Sequence, residues 1–214
     1  MTKQKFPTVK KSTIRIKAHR EWLLSTSMEV FKSRSNIFMG HFVYAAIVDR
    51  TLSNIHGFLL LSGEGNFLCA AGVLRQQIDT AMRANSFSLV EDREALAEQI
   101  FKGKHFKDIV DSSGTKMRDA YLREKLAERN PWINGVYAET SGAVHLSQKH
   151  IFSAIAKVGV AGEMSFEISG LSSRHVEEFT ELFAAFEHSV RLTANVLFSD
   201  ADPDYLTHPA FSLA

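Results

Sequence analysis

Apolar residues near the end of the chain repeat at intervals of three and four, a spacing that places them on one side of a helix. The repeat runs through Val176, Phe179, Phe183, Phe186 and Val190 and continues on the same lattice to Thr193 and Leu197. Such a seam packs against other helices. The sequence therefore predicts a long last helix. This helix is either the core helix of a bundle or, through residues 176–197, the contact between two copies of the chain.

The same spacing predicts helices along most of the remaining chain. We expect them over residues 11–31, 36–61, 67–84, 91–102, 115–129 and 132–144, with a polar surface loop over 102–115. Met164, Phe166 and Ile168 instead alternate with polar residues, which is the period of a half-buried strand. The predicted fold is mainly α: a helical bundle of about six helices with one small β-hairpin, at about residues 150–169, before the long last helix.

Composition and charge indicate how the chain is organised. With 214 residues, 45% of them hydrophobic, it can bury one ordinary core. We expect a basic N-terminal arm over residues 1–12, a single helical domain over 13–200 and an irregular C-terminal tail over 201–214. Seven Lys and Arg residues precede the first acidic residue, Glu21, yet the net charge is only +1. The arm is therefore interpreted as a solvated tail, with contact to phosphates or lipid as the alternative.

Cysteine content and hydropathy indicate the cellular compartment of the protein. A single cysteine, Cys69, excludes an internal disulfide, and its apolar neighbours predict that it lies in the core. The longest apolar stretch, residues 37–61, is interrupted by Asp49 and Arg50. Such a stretch does not cross a membrane. We expect a cytoplasmic protein that does not bind membranes.

Two predicted helices each carry a row of polar side chains at intervals of four, which places each row on one helix face. The rows are Arg75, Asp79 and Arg83 in one helix and Tyr137, Ser141 and His145 in the other. Their neighbours are mainly apolar or small, and buried polar groups require partners. We therefore predict that Arg75, Asp79, Ser141 and His145 form one largely buried hydrogen-bonded cluster between two packed helices.

The segment that follows the second row offers an alternative. His145, Lys149 and His150 combine two imidazoles with a cation, which can act as general acid, general base and phosphate stabiliser. This set could cleave RNA without a metal, or form a binding surface for RNA or a protein. The structural role of His145 and Ser141 is favoured over both. No HExxH motif or phosphate-binding glycine loop occurs, so neither a metal nor a cofactor is expected.

Arg75 and Asp79, followed by Tyr137, Ser141 and His145 at intervals of four, carry a family resemblance. Together with "HLSQKHIF" and the hairpin, this pattern over residues 66–197 resembles small bacterial families of all-helical proteins. Some of these families are encoded near phage-defence and abortive-infection genes, and they are similar in outline to HEPN-type helical domains. The resemblance implies a shared scaffold. A non-catalytic module of a bacterial stress or defence system is therefore expected, with a metal-independent HEPN-like ribonuclease as the alternative.

The motif usual in HEPN ribonucleases is an Arg followed, after four to six residues, by a His. Arg34 with His41 and Arg50 with His56 fit this spacing. Two matches are about what chance gives for a chain with this many Arg and His residues. Active members often carry a polar residue just after the Arg; Ser35 is small and Thr51 is a weak match for it. The sequence therefore favours the non-catalytic module.

Overall fold

The computed structural model describes residues 7–33, 36–145, 148, 151, 155–158, 163–166 and 176–198. The helices with defined bounds in these ranges are α1 (Pro7–Lys32), α2 (Met39–Gly63), α3 (Phe67–Asn85), α4 (Arg93–Phe101), α5 (Asp119–Ala127), α6 (Trp132–Val144) and α7 (Val176–Phe198). Short 3-10 turns, Ser86–Leu89 and Phe106–Asp108, follow α3 and α4. The predicted mainly α fold class is confirmed.

Local signals explain where helices begin. Pro7 is the first residue of α1, a position that suits proline because no backbone N–H is needed there. The helix thus begins before the expected Lys11, and residues 7–12 of the predicted basic arm are helical. Asn66 caps α3 by accepting a hydrogen bond from the Cys69 backbone N–H at 3.1 Å, and Asp92 caps α4 in the same way.

The position of Cys69 differs from the prediction. Cys69 is exposed, whereas the next residue, Ala70, is fully buried. Successive residues of a helix are turned by about 100°, so a residue beside a buried one can face solvent. The prediction that Cys69 lies in the core, which rested on its apolar neighbours in sequence, is therefore wrong.

The core is centred on aromatic contacts between α2 and α7. The rings of Phe58 and Phe186 stack with centroids 3.9 Å apart, and Phe183 meets Phe58 edge-on at 5.0 Å. Residues of the buried core extend from Ile16 in α1 to Phe198 at the end of α7. The core therefore joins the first helix to the last.

A buried polar network crosses this core. Gln77 of α3 accepts a hydrogen bond from Asn54 at 3.0 Å and donates to Thr193 at 2.9 Å and to Thr51 at 3.4 Å. All four residues are less than 10% exposed. Since these partners come from α2 and α7, the network fixes three helices relative to one another. It also explains why the apolar seam of α7 includes a threonine.

The seam of α7 is internal. Phe183 is 2% exposed, and Phe186, Val190 and Thr193 are fully buried among the helices of the same chain. The side chains of this face therefore contribute to the core of the same chain, and contact between two copies through residues 176–197 stays a prediction.

The segment predicted as a surface loop, residues 102–115, is partly built into the fold. Ile109 is 2% exposed and Met117, just beyond it, is fully buried. Val110 and Lys116 form an isolated antiparallel bridge, so the chain turns back on itself between them. Because the segment is mainly polar, the sequence did not predict that Ile109 and Met117 would be buried.

The predicted hairpin region contains two strands, β1 (Ile155–Val158) and β2 (Met164–Phe166), which pair antiparallel. Ile155 pairs with Phe166, and Val158 pairs with Met164. Phe166 is 60% exposed, so the predicted burial of one strand face does not hold at this residue. The connection between the strands, the first six residues and the predicted tail over 201–214 lie outside the described ranges.

Candidate functional site

The two predicted polar rows meet at a single contact. Helices α3 and α6 pack against each other, and the Arg75 guanidinium carbon lies 3.7 Å from the centroid of the Tyr137 ring. This is a cation–π contact at short range. In the part of the chain that the structure describes, Arg75 has no carboxylate within ion-pair distance.

The other two residues of the α3 row, Asp79 and Arg83, contact α2 and α5 instead of α6. Arg83 lies 3.1 Å from the Asp79 carboxylate and 2.7 Å from that of Asp119 at the start of α5. Asp79 also faces Arg50 of α2 at 3.6 Å. Asp79 and Arg83 are half-buried, with side chains 22% and 24% exposed. They connect α3 to α2 and α5 rather than to α6.

The predicted single buried cluster is therefore wrong. Ser141 donates its hydroxyl to the Tyr137 backbone carbonyl at 2.7 Å, within its own helix. His145 is exposed, and its backbone N–H donates to the Ser141 carbonyl at 3.4 Å where α6 ends. The hydroxyl of a serine within a helix can donate to a backbone carbonyl of the preceding turn. Such a serine can therefore be buried without a hydrogen-bond partner from another helix. Lys149 and His150 lie outside the described residues.

A second arginine, which the sequence analysis missed, joins Arg75 at the same ring. Arg123 of α5 places its guanidinium carbon 5.2 Å from the Tyr137 centroid. Its Nε is buried and has no hydrogen-bond partner among the described residues, and its side chain is 30% exposed. A carboxylate oxygen of Glu124 lies 3.6 Å from the Arg123 guanidinium. We call Arg75, Arg123 and Tyr137 the arginine–tyrosine site. Only the packing of α3, α5 and α6 brings its members together.

A cleft opens at a second region of the surface, where the ends of six helices meet. It has a volume of about 790 Å³ and lies between the first turns of α2 and α4 and the last turns of α1, α3, α5 and α7. Its walls combine aromatic residues such as Tyr44 and Phe87 with the charged residues Arg93, Lys125 and Arg129. None of these residues belongs to the two predicted polar rows.

A buried ionic group joins α1 to α7. Arg15 Nε lies 2.9 Å from both carboxylate oxygens of Glu187, and His19 Nε2 lies 3.6 Å from the same carboxylate. Burial lowers the pKa of His19, against the opposing effect of Glu187. Burial alone would raise the pKa of Glu187, but contacts with His19 and Arg15 lower it. His19 is therefore neutral near pH 7 while Glu187 is charged. The group stabilises the bundle and lies away from the cleft.

Asp111 organises the turn before α5. One carboxylate oxygen accepts hydrogen bonds from the Ser113 N–H and hydroxyl and from the Thr115 N–H, at 2.7 to 2.9 Å. The other oxygen accepts from the Tyr121 hydroxyl. Burial opposes ionisation, yet these hydrogen bonds lower the pKa of Asp111 to about 2. Gly114 completes the turn at a φ of 81°, which favours glycine.

Within the described ranges, no group of three or more His, Cys, Asp or Glu residues could hold a metal ion. None of the helices in those ranges is long and apolar enough to cross a bilayer. Comparison with protein-family models, curated proteins and solved structures gives no match.

Proposed function

We propose that this chain is a non-catalytic helical module that binds RNA through the arginine–tyrosine site. The observation that carries the proposal is the placement of two arginines, Arg75 and Arg123, against one tyrosine ring. The sequence resemblance suggests the setting, a stress or defence system inside a bacterial cell. A protein partner at the same face is the other binding role that the sequence left open.

The electrostatics of the site support an anionic ligand. Two guanidinium groups that share one ring repel each other, and among the described residues only Arg123 has a carboxylate nearby, at 3.6 Å. The ring of Tyr137 orients both groups through cation–π contacts, which do not use the in-plane N–H donors of the guanidinium groups. A phosphate diester offers the negative charge and the paired oxygens that a guanidinium fork recognises. The site therefore suits a phosphate of a nucleic-acid backbone.

The residue that ends α6 extends this site. His145 follows Tyr137 by two helical turns, which places it about 12 Å further along the helix axis. It is exposed, so its imidazole is accessible to a ligand that already contacts the arginines. A chain of nucleotides is long enough to reach both positions, whereas an isolated phosphate is not. This geometry favours a polymer over a small anion at this face.

Fluorescence anisotropy with a short, labelled single-stranded RNA tests the proposal. Arg75→Gln combined with Arg123→Gln should weaken binding by roughly 10–100-fold at physiological salt, since two charge-assisted contacts are lost. The control variant, Arg20→Gln with Lys102→Gln, removes two exposed charges elsewhere and should bind nearly as wild type. Equal weakening by both variants would contradict a defined site, as would an absence of binding by the wild type.

The tyrosine provides a second comparison. Tyr137→Phe keeps the ring that supports both guanidinium groups and should preserve RNA binding. Tyr137→Leu removes the cation–π contacts and should weaken it, because the arginines lose their fixed orientation. If the two variants bind RNA equally, the ring does not organise the site.

The alternative function is a metal-independent, HEPN-like endoribonuclease that uses His145, Lys149 and His150. The exposure of His145 favours it over a purely structural role for this residue. Incubation of the purified chain with mixed RNA in EDTA, beside a His145→Ala, His150→Ala double variant, distinguishes the two functions. Cleavage that the variant loses establishes the ribonuclease. RNA binding without cleavage supports the non-catalytic module.

A further inference from the structure

The cleft between the helix ends has the dimensions of a small-molecule site. Its volume of about 790 Å³ lies within the range of about 300–1,000 Å³ that is usual for ligand pockets. Six helices and the Ser86–Leu89 turn contribute to its walls. Because these walls come from segments distant in sequence, the completed fold sets the shape of the cleft.

One wall of the cleft offers a fixed aromatic surface. Tyr44 meets the rings of Phe31 and Phe198 edge-on, at centroid distances of 5.7 Å and 5.5 Å. Phe87 of the 3-10 turn and Ile47 of α2 also line the cleft. A flat ring can pack against such a surface without any change in the protein.

Amide side chains make the interior polar as well. Asn195 of α7 lines the cleft, and its buried Oδ1 accepts no hydrogen bond from the described residues. Asn130 donates its amide nitrogen to the Leu126 carbonyl at 3.1 Å, which leaves its oxygen as an acceptor. A ligand with N–H donors would satisfy these oxygens, whereas a purely apolar ligand would not.

The rim carries more positive than negative charge. Three cationic residues, Arg93, Lys125 and Arg129, line the cleft together with two acidic ones, Glu94 and Glu128. Glu128 binds Lys125 at 2.7 Å, and Glu94 accepts the Gly40 backbone N–H at 3.1 Å. Arg129 is exposed and, in the part of the chain that the structure describes, has no acidic partner within ion-pair distance. Arg93 lies on the same rim. An anionic group would be attracted here.

We propose that the cleft binds a nucleoside phosphate. The base packs against Tyr44 and Phe87, its N–H groups donate to Asn195, and the phosphate contacts Arg93 and Arg129. A single ligand of this class supplies the flat ring, the N–H donors and the negative charge that the three parts of the cleft require. The assignment does not depend on RNA binding at the arginine–tyrosine site, since the two sites share no residue.

Isothermal titration of the full chain with AMP and GMP tests this assignment, with adenosine and inorganic phosphate as partial ligands. At least one nucleotide should bind with a dissociation constant below about 1 mM, and adenosine or phosphate alone should bind at least about tenfold more weakly. If neither nucleotide binds, or if phosphate alone binds as tightly as a nucleotide, the proposal is refuted.

Variants separate the contributions. Arg129→Gln, at an exposed position where folding is not at risk, should weaken nucleotide binding about tenfold while leaving adenosine binding unchanged. Asn195→Leu should abolish nucleotide binding without lowering the melting temperature of the ligand-free chain, because an unsatisfied buried oxygen is removed. Wild-type nucleotide affinity in Arg129→Gln overturns the proposal.

The variant Arg75→Gln, Arg123→Gln is the matched control for location. It should bind nucleotides as the wild type does, because its substitutions lie outside the cleft. If this variant loses nucleotide binding, the nucleotide occupies the arginine–tyrosine site and the cleft assignment fails. Failure of RNA binding at that site, with nucleotide binding intact, would refute the proposed function alone.

Discussion

Replacement of Asp111 by asparagine tests the account of the turn before α5 most stringently. Asparagine keeps the size of the side chain but removes the charge that accepts hydrogen bonds from Ser113, Thr115 and Tyr121. Folding lowers the pKa of Asp111 from 3.8 to about 2. A shift of this size corresponds to about 2 kcal/mol of stability at pH 7, after a modest allowance for solvent screening at the protein surface.

The sign of the pH dependence follows from the direction of the shift. A lowered folded pKa stabilises the protein above pH 3.8, the ordinary value, and this contribution disappears as the pH falls through about 2. We therefore expect urea unfolding to show that Asp111→Asn is less stable than wild type by about 2 kcal/mol at pH 7. At pH 3 this difference in the free energy of unfolding should be about half as large. The exposed control, Asp108→Asn, should change stability by less than about 0.5 kcal/mol. A stability difference for Asp111→Asn that does not vary with pH would refute the reasoning.

Three other perturbations follow from the core and the ionic group. Burial lowers the pKa of His19, so wild-type stability should fall as the pH decreases below 6.5, and His19→Phe should lack this dependence in pH-resolved melts. Gln77→Leu should lower the free energy of unfolding by about 1–3 kcal/mol, because Asn54 and Thr193 lose their partner; an unchanged denaturation midpoint would contradict the network. Phe186→Asp should abolish cooperative melting measured by circular dichroism, because it places a charge in the core. If the variant keeps its helicity and light scattering gives it a smaller mass than wild type, the α7 seam is instead a contact between two copies of the chain.

The long elements were predictable because periodicity reports the face of a helix directly. The α7 seam, from Phe179 to Val190, is buried as its spacing predicts. The strands in the region about 150–169 also follow from alternation, although Phe166 faces solvent. Periodicity shows that a face is apolar, but it does not show whether the same chain or a second copy covers it. In the structure, other helices of the same chain cover the apolar face of α7.

The site residues were harder to predict because they depend on which faces meet. Spacing placed Arg75 and Tyr137 on matching rows, and they do contact each other. It could not show that Ser141 bonds within its own helix or that His145 lies beyond the packed region. Arg123 had no local signal at all, since it joins the site only through the position of α5.

The salt dependence of RNA binding tests the central claim most directly. For single-stranded nucleic acid, the logarithm of the binding constant falls with the logarithm of salt concentration by about 0.7 for each phosphate contact. If Arg75 and Arg123 each hold a phosphate, the slope for the Arg75→Gln, Arg123→Gln variant should be shallower than that of wild type by about 1.4. Equal slopes for the two proteins would mean that these arginines do not contact the RNA backbone, and the proposed binding site would be wrong.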